Sequence, residues 1–209
     1  MPTILIVFIT SLLSVSAINE NFEGKITYQV RYHSRIPNIS SDQLTAMMGT
    51  EQEFYYKAGN YKSAVNGTTM EYMMYIADSC KMYMKMVKMD LLMWTDATKE
   101  TDQILQTQLN KNVDTILGFV CDELIIQSKN STHKYYFNTA FNINPTESAN
   151  HKASNWSAYL SAAKALPLKM IIETEQFVAE SVAVQYKKEA LAASIIKIDS
   201  SLKIVQSRL

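Results

Sequence analysis

From Phe22 to Tyr32 the chain alternates without a slip: Phe22, Gly24, Ile26, Tyr28, Val30 and Tyr32 take one parity, and Glu23, Lys25, Thr27, Gln29 and Arg31 the other. A helix returns to the same face every ~3.6 residues and would scatter this pattern around its circumference, whereas a strand puts every apolar residue on one side. A strand that is dry on one face and wet on the other is not stable alone, so the remaining chain has to supply both a sheet and a cover for it.

The sequence supplies more strands. Phe54 and Tyr56 alternate with Glu53, Tyr55 and Lys57 ahead of Gly59-Asn60, and Asn66-Gly67 is the pair that a type I′ hairpin turn prefers. Met70, Tyr72, Met74 and Ile76 share one parity, Asp78-Ser79 reads as a turn, and Met82, Met84 and Met86 share a face of the next strand. Further strands are expected at residues 103–109, 116–127 and 131–138, the last two joined across Lys129-Asn130. Leu168, Met170 and Ile172, then Val178, Val182, Val184 and Tyr186, return the chain to sheet. Connections this short imply antiparallel pairing.

Two helices interrupt the pattern. Residues 41–49 read as a short helix with a polar N-cap and a glycine stop. Asn144-Pro145 opens a longer one, expected over residues 147–165, with Ala149, Ala153, Trp156, Leu160 and Ala163 recurring at helical spacing until Leu166-Pro167. The order sheet, helix, sheet lacks a βαβ rhythm. The fold class expected is therefore mainly β (α+β): an antiparallel, strongly curved sheet or unclosed β-barrel, covered by one longer and one short helix.

Residues 4–13 form a short apolar run followed by Val15-Ser16-Ala17, a small-residue cleavage site, so residues 1–17 are expected to be an export signal and residues 18–209 a single β domain. The run is too short to span a bilayer of ~30 Å as a helix, which weighs against an uncleaved anchor. Export takes the mature chain out of the cytoplasm into an oxidising compartment. In that oxidising compartment the only two cysteines, Cys80 and Cys121, are expected to form a disulfide.

Catalytic chemistry is not legible. His33, His133 and His151 lie far apart without metal-ligand spacing and are assigned to surface or capping roles; no nucleophile elbow, P-loop or dinucleotide fingerprint occurs. The formal net charge is zero, with no run of either sign to follow a phosphate backbone, so nucleic acid is not an expected partner. No enzyme activity, cofactor or metal is expected. Eight of the twelve methionines fall between Met70 and Met93. Three thioethers on one strand face, Met82, Met84 and Met86, would suit Cu(I), yet Met is also the residue that adapts to an irregular apolar surface, and packing is the reading adopted.

Three segments carry a resemblance: Phe22-Glu23-Gly24-Lys25-Ile26-Thr27-Tyr28, then Ile116-Leu117-Gly118-Phe119-Val120-Cys121, then Leu166-Pro167-Leu168. Together they resemble exported Gram-negative envelope proteins of the DUF4412 and GLPGLI type, although the GLPGLI hexapeptide itself is missing. The resemblance implies a fold similar to the LolA lipoprotein carrier, an unclosed barrel whose apolar concave face is covered by helix. The function expected is binding or carriage of an apolar ligand, a lipid or lipoprotein acyl chain, in a cavity between sheet and helix. Its lining would be Tyr28, Tyr32, Phe54, Tyr56, Tyr72, Met74, Met82 and Met84 from the sheet, with Trp156 and Leu160 from the helix. The alternative is an envelope interaction or structural protein with a protein partner and no small-molecule ligand, which would require the sheet interior to be filled by its own side chains.

Overall fold

A computed structural model of the chain describes residues 21–207; the expected signal segment lies outside them. Twelve strands follow in order: β1 (Gly24–Ser34), β2 (Glu51–Lys57), β3 (Asn60–Val65), β4 (Met70–Ile76), β5 (Lys81–Met86), β6 (Leu91–Asp96), β7 (Ile104–Ile116), β8 (Phe119–Ser128), β9 (Ser131–Asn142), β10 (Ala165–Thr174), β11 (Phe177–Lys188) and β12 (Lys203–Gln206). Helix α1 (Ser41–Met48) lies between β1 and β2, and α2 (Trp156–Ala163) between β9 and β10.

All twelve strands belong to one sheet in the order β12-β6-β5-β4-β3-β2-β1-β11-β10-β9-β8-β7. Two antiparallel meanders, β1 to β6 and β7 to β11, are joined where β1 pairs with β11 from Gly24↔Lys188 to Ser34↔Phe177. The pairing is antiparallel throughout except at one edge, where β12 runs parallel to β6. The sheet is thus mixed, and among the described residues β12 and β7 keep free edges, so it does not close into a barrel.

Its curvature follows from the chain. β6 and β7 are ten neighbour steps apart in the sheet, a distance of about 48 Å if the sheet were flat. Only residues 97–103 connect them, a link that reaches at most about 28 Å when fully extended. The sheet must therefore curl until its two halves face each other, and the inner face then becomes concave.

Local chemistry sets the turns and caps. Ala58 and Gly59, both at positive φ, make the type I′ turn between β2 and β3, and Leu117 and Gly118 make another between β7 and β8. The expected strand over 116–127 is accordingly cut at that turn and begins at Phe119. The expected type I′ turn at Asn66-Gly67 does not form, since Gly67 is absent from the positive-φ residues and sits hard against the backbone of Met47 and Met48. Asn66 instead uses its side-chain oxygen to accept from the backbone N–H groups of Thr50 and Glu51. Ser40 caps α1 in a capping box with Gln43.

The expected long helix over 147–165 is only half helix. Pro145–Ser148 and Ala153–Asn155 are 3-10 turns, and Ser154 and Asn155, both at positive φ, break the helical path just before α2. The disulfide is not formed either: Cys80 and Cys121 are free thiols. Cys80 follows the 3-10 turn between β4 and β5, Cys121 lies on β8, and each thiol bonds a nearby carbonyl, Ala77 O and Phe119 O respectively.

Both faces of the sheet are used. The concave face holds the main core, with Tyr28, Tyr61, Tyr75, Tyr135, Phe137 and Leu168 packed against Tyr159 and Leu160 of α2. On the convex face Met74, Tyr83 and Leu92 form a second cluster, covered by Ile196, Ile198 and Leu202 from the segment that leads to β12. That segment is anchored where the Glu23 carboxylate accepts from both Lys57 Nζ and Leu191 N. Met74 is 0% exposed, so Met74→Ala is expected to lower the unfolding free energy by about 2–4 kcal/mol. A shift of the urea midpoint at unchanged slope measures it; no shift would mean that the C-terminal cover is not packed on the sheet.

Candidate functional site

The concave face is not filled. Between it and residues 145–163 lies a cavity of about 720 Å³, adjoined by a second of about 320 Å³. Tyr61, Met73, Trp156, Met170, Ile172 and Phe177 contribute to both walls. The larger volume lies within the range of small-molecule sites, roughly 300–1,000 Å³, and its walls are mainly apolar and aromatic, as such sites require.

The cover is a strap pinned along its length. Ser148 Oγ donates to Gly59 O, and Gly59 is needed there because a Cβ would come within 2.6 Å of Glu147 O. Lys152 N and Ala153 N both donate to Ala97 O in the link between β6 and β7, Ser154 N donates to Thr101 Oγ1, and Asn155 Nδ2 donates to Ser128 Oγ. Beyond the left-handed residues Ser154 and Asn155 the chain enters α2, which delivers Trp156 to the junction of the two cavities. There its ring meets Phe54, Tyr61, Tyr135 and His151 edge-on or tilted.

Two histidines assigned from sequence to surface or capping roles are buried in the cavity wall. His151 is 3% exposed, stacks on Tyr61 and lies tilted against Tyr75, and its Nε2 lies 2.8 Å from Tyr61 Oη, which in turn donates to Met82 Sδ at 3.3 Å. Burial pushes its pKa down to about 4, so the ring is neutral at pH 7. His133, with Nδ1 2.8 Å from Tyr135 Oη, is likewise held below the usual histidine range by desolvation. No spacing signal could have found this pair, since His133 comes from β9 and His151 from the strap. His33 is exposed, as expected. Among the described residues no group of three His, Cys, Asp or Glu side chains gathers as a metal site.

Of the expected lining residues, Met82 and Trp156 line the larger cavity, and Tyr28, Tyr32, Phe54 and Trp156 the smaller one. Tyr56 and Leu160 are packed into the core beside these cavities instead of lining them. Met84 shares the inner face, paired with Met73, but stands outside both walls. Tyr72 and Met74 point the other way, into the convex cluster. The reason is a register shift between Met70 and Tyr72, which turns Met70 inward with Met73 and sends Tyr72, Met74 and Ile76 outward.

No family model matches the chain, so the resemblance to the DUF4412 and GLPGLI types stands on its short motifs alone. No curated protein matches it. Among solved structures, two crystal forms of PNGF-II are similar at TM-scores of 0.47 and 0.49 and 11% identity, over 89% of this chain. The chain spans only 31% of the length of PNGF-II. LprF from Mycobacterium bovis is similar at a TM-score of 0.35 and 8% identity, over 81% of this chain and 88% of its own. None of these scores reaches 0.5, and the functional reading rests on the cavity.

The neutral, buried His151 has a consequence for stability. Its pKa is about 6.5 unfolded and about 4 folded, so between these values the unfolded chain binds the extra proton. Its contribution is complete above pH 6.5 and is lost as the pH falls towards 4, by up to about 3 kcal/mol. His151→Phe, which keeps a ring beside Tyr75, is expected to flatten the fall in urea midpoint between pH 7 and pH 4.5; an unchanged pH dependence would place the titration elsewhere.

Proposed function

We propose that this is an exported envelope protein that binds or carries an apolar ligand, a lipid or lipoprotein acyl chain, in the cavity between the curved sheet and the strap over residues 145–163, and that it is not an enzyme. One observation carries the reading: a cavity of about 720 Å³, open to solvent at one margin and bounded by Tyr61, Met82, Tyr135, Trp156, Met170 and Phe177. A cleft of this size with mainly apolar and aromatic walls suits an occupant of the ligand's kind. The exposed Thr101, Ser154, Glu175 and Gln176 at its margin give a route from solvent. The mixed, unclosed architecture is that of a container with a cover.

A second reading has its own support. Leu105, Leu109 and Val113 on β7, and Val120 on the adjacent β8, are exposed at a free sheet edge, and a patch of this kind suits a protein partner. The two are separated by titrating the mature protein with N-phenylnaphthylamine, an uncharged apolar fluorophore. Saturable binding is expected, and Ile172→Trp, which places a large ring where the two cavities meet, is expected to weaken it by about tenfold or more with the fold intact by circular dichroism. No saturable binding by the parent protein would leave the partner-binding reading as the better one.

A further inference from the structure

We propose that the cavity selects an amphiphile with a cationic head, a long-chain amine or quaternary ammonium, over one with a carboxylate or phosphate. This rests on the reading that the cavity takes an apolar chain, and adds the chemistry of the chain's polar end.

The walls of the two cavities contain no lysine and no arginine. Their only formal charges are two carboxylates, Asp102 and Glu175, both on the larger cavity and both towards its solvent margin. The two histidines that might have supplied positive charge, His133 and His151, are neutral because burial penalises their charged forms. His151 also leaves its Nδ1 buried without a hydrogen-bond partner, so the wall is polar at this point yet incomplete.

Of the basic residues around the margin, Arg35 donates to Thr174 O and lies 3.7 Å from Glu173, Lys152 lies 3.9 Å from Glu100, and Lys129, beside Asn130, is exposed and belongs to neither wall. Asp102 is fixed in place by the turn between β8 and β9, accepting from Asn130 N, Asn130 Nδ2 and Ser131 Oγ, all of them neutral donors. Glu175, in the exposed turn between β10 and β11, has no such role. An alkyl chain lying along Met82, Trp156 and Met170 would therefore present its head to two negative charges, with the aromatic faces of Tyr61, Tyr135 and Phe177 close behind. That surface attracts an ammonium through charge and through the rings, and repels an anion.

The test compares three probes with the same chain, dodecyltrimethylammonium, dodecanol and dodecanoate, below their micelle concentrations, by displacement of N-phenylnaphthylamine from the mature protein at low and high salt. The ammonium is expected to bind about tenfold tighter than dodecanoate at low salt, with dodecanol between them and the gap shrinking as salt is raised. Glu175→Gln is expected to narrow the gap by about threefold at an unchanged melting temperature. Asp102→Asn should narrow it further, but Glu175 is the cleaner variant because Asp102 also holds a turn. Dodecanoate or dodecanol binding as tightly as the ammonium, or a preference untouched by Glu175→Gln, would overturn the inference while leaving the cavity's ligand-binding role in place. If no probe displaces the fluorophore because the fluorophore itself does not bind, the ligand-binding reading falls and this inference with it.

Discussion

The link over residues 97–103 is the constraint on which the rest of the molecule depends. It is far too short to cross a flat twelve-stranded sheet, so it forces β6 and β7 towards each other and makes one face concave. The same link then holds the cover. Ala97 O accepts from both Lys152 and Ala153, and Thr101 Oγ1 accepts from Ser154, so the segment that shortens the path between the two meanders also anchors the strap across their opening. Curvature and cover have one origin. Loosening the link would relax both together.

With the curvature fixed, the character of the interior follows from which side chains face inward. Many of the larger ones are aromatic, among them Tyr28, Phe54, Tyr61, Tyr75, Tyr135, Trp156 and Tyr159, and most of their contacts are edge-on or tilted instead of interdigitating as Leu and Val do. Tyrosine hydroxyls need partners inside, and two of the most buried have them, Tyr28 donating to Pro167 O at 2.6 Å and Tyr159 to Ala165 O at 2.9 Å, whereas Tyr56 Oη has none. These two bonds tie the inner face of β1 and the middle of α2 to the start of β10. They help to keep the strap's helical part seated while the space in front of Trp156 stays open.

Much of this was legible in the sequence, and the places where it was not have physical reasons. The alternation over β1 and β2 gave the right inward faces because those strands keep their register along the whole pairing with each other. Over β4 the same alternation put Tyr72 and Met74 on the inner face, and a single shift of register beside Met70 reversed them; a bulge leaves no mark in a pattern of apolar residues. The helix over 147–165 had the right period, but Ser154 and Asn155 adopt left-handed backbone to meet Thr101 and Ser128, partners distant in sequence. The convex cluster escaped notice because it needs the C-terminal segment to return as β12 on an edge strand formed about a hundred residues earlier. The buried histidines escaped for the same reason, each being defined by a tyrosine or a cavity wall from other elements.

The distribution of unsatisfied polar atoms bears on whether the open space is a defect of packing or a built feature. A poorly packed interior would scatter lone polar atoms wherever its elements fit badly, and each would cost stability without pattern. Four buried side-chain atoms lack a partner among the described residues, and two of them, His151 Nδ1 and Trp156 Nε1, belong to rings 6.4 Å apart in the wall of the larger cavity. Around them the neighbouring polar groups, Tyr61, His133, Tyr135 and Asn155, are each bonded. The other two orphans, Tyr56 Oη on β2 and Asn142 Oδ1 on β9, lie outside the cavity walls, so half of the unpartnered atoms gather at the cavity. His151 and Trp156 both stand on the strap, so the two orphan ring nitrogens at the cavity tie the open volume to the segment that covers it.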